Sequence, residues 1–88
     1  MSRARVYNEE TLAIMRRFFD AFEVAREHKL IPTVKEFCEQ NNIDKAHFYT
    51  QRKNLGRGFF EVGWLVPLVD CGVSASWLLT GKGLMFRE

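Results

Sequence analysis

Between Thr33 and Lys53 the chain reads T-V-K-E-F-C-E-Q-N-N-I-D-K-A-H-F-Y-T-Q-R-K, two helical stretches separated by a few polar residues. Thr33 and Glu36 form a T-x-x-E capping box that opens the first stretch. Val34, Phe37 and Cys38 are spaced to face a core. Asn41-Asn42 closes the stretch, since asparagine tolerates the left-handed conformation that such turns commonly require. Ile43 plugs the turn, and Asp44 caps a second helix from Lys45 to about Asn54. So short a connection prevents antiparallel packing. The two helices must cross steeply, with Phe37, Cys38, Ile43 and Phe48 filling the crossing.

The rest of the chain reads as helices around this unit, giving an all-α fold of about five helices. Asn8 is the N-cap of a long first helix over 9–29, with Glu9 and Glu10 in the first turn and His28 and Lys29 in the last. Leu12, Met15, Phe19 and Phe22 form one apolar stripe; Ile14, Phe18, Ala21 and Ala25 form a second. Two stripes exceed what one small core needs. The surplus is open to a second copy, as a homodimer, or to the chain's own C-terminal helices. Pro32 breaks the helix. The helix-turn-helix unit spans 33–54, and Leu55-Gly56-Arg57-Gly58 reads as a flexible hinge. C-terminal helices are expected over 59–81, with Pro67 in a first turn or at a kink, Gly72 ending one helix and Ser74 capping the last. Residues 1–7 read as a loose arm; its Arg3 and Arg5 suit a minor groove, but a frayed terminus is the simpler reading. No strand-like alternation, internal repeat or low-complexity segment is evident.

Eighty-eight residues make a single domain over 1–88, and an apolar content of 47% with eight Phe and two Trp supplies its core. The net charge of +2 says little, but its distribution says more. Lys45, Arg52, Lys53 and Arg57 stand against one acid, Asp44, a local +3 that leaves −1 for the rest. Cys38 and Cys71 show no C-x-x-C pairing and read as reduced thiols of a cytoplasmic protein, with no signal peptide or membrane-length apolar run. Neither metal-ligand spacing, glycine-rich phosphate loop, paired carboxylates nor a nucleophile with a nearby base is present. The sequence therefore implies no enzyme, cofactor or metal.

With Phe48 pointing inward, helical geometry places Lys45, Ala46, Tyr49, Thr50 and Lys53 on the opposite face, with Arg52 on the flank and Arg57 just beyond. Long cations suit phosphates, while Tyr, Thr and Ala suit base edges or a thymine methyl. Asp44 spares backbone donors and discriminates against nearby phosphate. The free amides at Thr33–Lys35 offer a second phosphate contact. His47 beside this face suits a phosphate or water, not a catalytic base. The expected partner is double-stranded DNA, read in the major groove.

The stretch from Thr33 to Gly83 resembles the helix-turn-helix domain of phage-repressor-like transcription regulators, the lambda-repressor-like fold. Its most specific part is C-G-V-S-A-S-W-L-L-T-G-K-G, Cys71 to Gly83, which is similar to the last helix of such domains in bacterial repressors. The resemblance implies five helices with the second and third as reading unit, DNA-facing positions at Asp44, Lys45, Ala46, Tyr49, Thr50 and Lys53, and Trp77 and Leu78 in the core. The rival expectation is a protein-binding helical module that keeps the fold without DNA binding. Its sticky surface would be Phe59, Phe60, Trp64 and the surplus face of the first helix.

Overall fold

The computed structural model describes residues 7–87, so Arg3, Arg5 and most of the expected arm lie outside the described residues. Tyr7, at the end of that arm, is not loose but packs half-buried against the core. Five α-helices follow: α1 Glu9–Glu27, α2 Val34–Gln40, α3 Lys45–Lys53, α4 Leu65–Asp70 and α5 Ala75–Thr80. A 3₁₀ turn at Val62–Trp64 runs directly into α4, which puts Pro67 third in that helix, within its first turn. The only extended pairing among the described residues is an isolated bridge between Val73 and Phe86.

Three of the helices stop by the same device. After α1, Lys29 adopts φ 59°, its N–H reaches Arg26 O, and the Leu30 N–H reaches Ala25 O at 2.9 Å. After α2, Asn42 adopts φ 57° and the Ile43 N–H reaches Cys38 O at 2.8 Å. After α4, Gly72 adopts φ 117° and the Val73 N–H reaches Leu68 O at 3.0 Å. Each is a Schellman ending, which satisfies orphan carbonyls through one left-handed residue followed by an apolar one. This corrects the first helix boundary. His28 is the C-cap and Lys29 lies beyond it, because a left-handed residue cannot extend a right-handed helix. It also explains why Ile43 and Val73 turn inward: each supplies the apolar contact of its motif.

The core is a stack of rings around Phe48, which is fully buried. Its ring centroid lies 5.0 Å from Phe22, 5.4 Å from Phe19, 5.6 Å from Trp64, 6.0 Å from Phe37 and 6.2 Å from Phe18. Residues from α1, α2, α3 and the 3₁₀ turn thus meet on one side chain. Most of these pairs are edge-to-face or tilted, the arrangements favoured by the ring quadrupoles.

Both stripes of α1 are used within the chain. Met15, Phe18, Phe19, Ala21, Phe22 and Ala25 are buried, and α4 and α5 pack along the helix. The residues of α1 that stay exposed are all charged: Glu9, Glu10, Arg16, Asp20, Glu23, Arg26 and Glu27. Most of the apolar surface of α1 is therefore covered within the chain, with Leu12 and Ile14 partly buried. Arg17 fixes this packing by donating from Nε to Leu78 O at 2.8 Å and from Nη2 to Leu79 O at 3.2 Å, near the α5 C-terminus. The tail folds back in a similar way: Met85 O accepts the Ser74 N–H, and Arg87 Nη2 donates to Val69 O at 2.6 Å.

Candidate nucleic-acid interface

The helix-turn-helix unit is held by side-chain caps at both starts. Thr33 Oγ1 accepts the Glu36 N–H at 3.2 Å and donates to Glu36 Oε1 at 3.0 Å. Asp44 Oδ1 accepts the His47 N–H at 3.0 Å. That bond draws the Asp44 carboxyl below its ordinary pKa, so it stays ionised at the start of α3. Phe48 and Gln51, three residues apart on one face, are both fully buried and set the rotation of the helix. What remains outside follows from that rotation. Lys45, Ala46, Tyr49 and Lys53 are exposed and Thr50 is half-buried.

The flanking residues behave less uniformly. Arg52 is half-buried; its Nη1 donates to Glu23 Oε2 at 2.8 Å, and its guanidinium carbon lies 5.2 Å from the Tyr49 ring centroid. It is the one cation of this group with an acid partner among the described residues. Arg57 is exposed and sits over the Phe59 ring at 5.4 Å. His47 stacks on that same ring at 4.0 Å with an interplanar angle of 8°, so His47, Phe59 and Arg57 form one surface cluster beside α3. Thr33 and Lys35 are exposed at the start of α2. The Glu36 carboxylate is hydrogen-bonded to Thr33 there, which disfavours a phosphate on the adjacent amides.

The segment after α3 is not the loose hinge that its glycines suggest. Gln51 Nε2 donates to Leu55 O at 2.9 Å and lies 3.4 Å from Met15 Sδ, while its Oε1 accepts the Phe59 N–H at 2.9 Å. Asn54 adds an Oδ1 acceptor for the Gly56 N–H and a carbonyl for the Arg57 N–H. The loop is consequently tied at four points, one of them the Arg57 backbone itself. Helical structure resumes only at Val62, later than the position 59 read from composition, because Phe59 and Phe60 belong to this tied loop. Sequence reasoning missed Gln51 as a structural residue; the signal that could have found it is its spacing of three from Phe48 and four from Leu55, which puts the three on one helix face. Glu23 gave no signal at all, since its partner is 29 positions away.

No family model, curated protein or solved structure matches the chain. Among the described residues no three His, Cys, Asp or Glu side chains are grouped to hold a metal, and no helix is long and apolar enough to cross a membrane. Cys38 is buried and Cys71 half-buried, both as free thiols. Burial pushes the pKa of each upward.

The exposed apolar surface also differs from expectation. Phe60 and Trp64 are buried and Phe59 is half-covered, so they offer no broad sticky patch. The open apolar groove lies instead between α4 and α5, lined by Val62, Leu65, Val66, Val69, Leu78 and Leu79 around a cavity of about 280 Å³. Val62 is 76% exposed, Val66 57% and Leu79 52%.

Proposed function

We propose that this chain is a sequence-reading domain for double-stranded DNA, a small repressor-like transcription regulator that lays α3 in the major groove. The observation that carries the reading is the division of α3 into two faces. Phe48 and Gln51 are sealed in the core, whereas Lys45, Ala46, Tyr49 and Lys53 stand in solvent with Thr50 partly covered. Such a face combines phosphate-seeking cations with side chains able to touch base edges. Arg57, carried on the tied loop, extends the cationic strip past the helix end. Thr33 and Lys35 flank it from α2, and Arg52, paired with Glu23, borders it from the side.

Selection of bound duplexes from a random pool tests this directly, followed by affinity across a salt series. A groove reader recovers a defined motif, and log affinity falls with log salt at a slope near −0.9 per phosphate contacted. Recovery of no motif, with no salt dependence, overturns the reading. The groove between α4 and α5 supports a second reading, a protein-interaction module without DNA binding. Binding through that groove responds weakly to salt, and Val66→Asp removes it while α3 substitutions leave it intact.

A further inference from the structure

We infer that Glu23 and Arg52 form a clamp that fixes Tyr49 on the outward face of α3. Arg52 then acts as a positioning residue for Tyr49 and is not itself a phosphate contact. The inference rests on the DNA-reading function proposed above and narrows what one side chain of that face does.

Three observations converge on it. Arg52 and Tyr49 are three positions apart on one helix, the spacing at which side chains meet, and the guanidinium carbon is 5.2 Å from the ring centroid. The same guanidinium donates from Nη1 to Glu23 Oε2 at 2.8 Å. The backbone that carries Glu23 is anchored in turn, because its immediate neighbour Phe22 and nearby Phe19 both pack on Phe48, the buried anchor of α3. The chain of contact therefore runs from the core through α1 to a carboxylate, then a guanidinium, then an exposed ring. Lys45, Lys53 and Arg57 have no acid partner among the described residues, so Arg52 alone has its charge already engaged.

An exposed tyrosine with one face covered by a held guanidinium has fewer orientations open to it than a free one. Its hydroxyl, a donor and an acceptor, is then presented at a fixed depth. Preorganisation of this kind contributes to discrimination between sequences, because a misplaced ring meets right and wrong base pairs alike. A phosphate contact would instead add affinity on every sequence equally.

The test has two arms. In the free protein, proton NMR should show the Arg52 side-chain resonances shifted upfield by the Tyr49 ring, with the shift abolished in Tyr49→Leu and reduced in Glu23→Ala. Unshifted Arg52 resonances in the unsubstituted protein overturn the clamp whether or not DNA binds. In the second arm, affinities are measured for the duplex recovered by selection and for its single-base-pair variants, over a salt series. Arg52→Ala and Glu23→Ala should each lower discrimination by about two- to fivefold, the factor an exposed cation–π contact is worth. The salt slope should not move, whereas Lys53→Ala shallows it by about one. An Arg52→Ala variant that shallows the slope, or a Glu23→Ala variant that tightens binding to every duplex alike, makes Arg52 a phosphate contact and overturns the proposal. If the unsubstituted chain selects no duplex, DNA reading fails and the positioning role falls with it, while the NMR arm still reports separately on the clamp.

Discussion

The side-chain oxygen of Gln51 accepts the Phe59 backbone N–H at 2.9 Å, joining the buried face of α3 to a loop eight residues further on. Because the Gln51 amide also donates to Leu55 O, one fully buried side chain satisfies two backbone groups of that loop. Gln51→Leu keeps the volume but leaves an amide and a carbonyl without partners. Each unsatisfied group costs about 1–3 kcal/mol where it stays buried. The expected loss, after partial relaxation toward water, is about 2–4 kcal/mol in urea unfolding. The Phe59 amide should also lose its protection from hydrogen exchange. A loss below about 0.5 kcal/mol with protection intact would show that the loop holds itself.

Phe48 and Tyr49 are adjacent aromatics with opposite surroundings, and substitution should separate them cleanly. Phe48→Ala removes the ring on which α1, α2, α3 and the 3₁₀ turn converge, and about 3–5 kcal/mol is expected. Tyr49, 41% exposed, loses only a partial contact on truncation. Its alanine variant should unfold within about 1 kcal/mol of the parent, yet relax sequence preference in binding. A large stability loss at Tyr49 would mean that α3 is rotated from its observed setting.

Lys53 is exposed near the end of α3 without an acid partner among the described residues. As a phosphate contact it should weaken all duplexes alike on replacement by alanine, and shallow the log-log salt slope by about one. An unchanged slope removes Lys53 from the interface while leaving the rest of α3 to be judged separately.

The elements that could be read from sequence are those built by local chemistry. Thr33, Asp44 and Ser74 each cap the helix expected of them, because a hydroxyl or carboxylate three residues before an amide is a local arrangement. Phe48 was legible as buried for a similar reason: its spacing from the polar face leaves one orientation. Glu23 and Arg52 were not legible as a pair, since their meeting depends on how α1 lies across α3. The tied loop misled for a related reason. Gly56 and Gly58 speak for conformational freedom, but Gln51 and Asn54, which remove it, act through side chains whose targets appear only once the chain is folded. The length of α1 was overread by two residues because His28 and Lys29 suit a helix end electrostatically on either side of the boundary.

The non-glycine residues in left-handed conformation at helix ends make a stability prediction. Lys29 and Asn42 occupy positions where Gly72 serves after α4. A β-carbon costs roughly 1–2 kcal/mol in that conformation, less for asparagine, against the greater unfolded-state freedom of glycine. Lys29→Gly should therefore raise stability by about 0.5–1 kcal/mol, and Asn42→Gly by less. Chemical denaturation of both variants checks the order. A destabilised Lys29→Gly would show that the lysine side chain, not the backbone, matters at that corner.

Asp44 joins stability to binding through one charge. The His47 N–H holds the carboxylate and lowers its pKa below the ordinary value. A carboxyl with a depressed folded pKa stabilises the native state fully above its unfolded pKa of about 3.9. That contribution disappears as pH falls through the lower folded value. Asparagine caps a helix about as well as aspartate but does not titrate. Asp44→Asn should leave the melting temperature at pH 7 nearly unchanged and flatten its decline below about pH 4. At low salt the same variant should bind every duplex more tightly, because a negative charge at the start of the reading helix opposes phosphate there. Affinity that stays constant while the acid limb flattens would place the α3 N-terminus away from the DNA backbone. The groove contact would then be borne by the middle and end of the helix, at Tyr49 and Lys53.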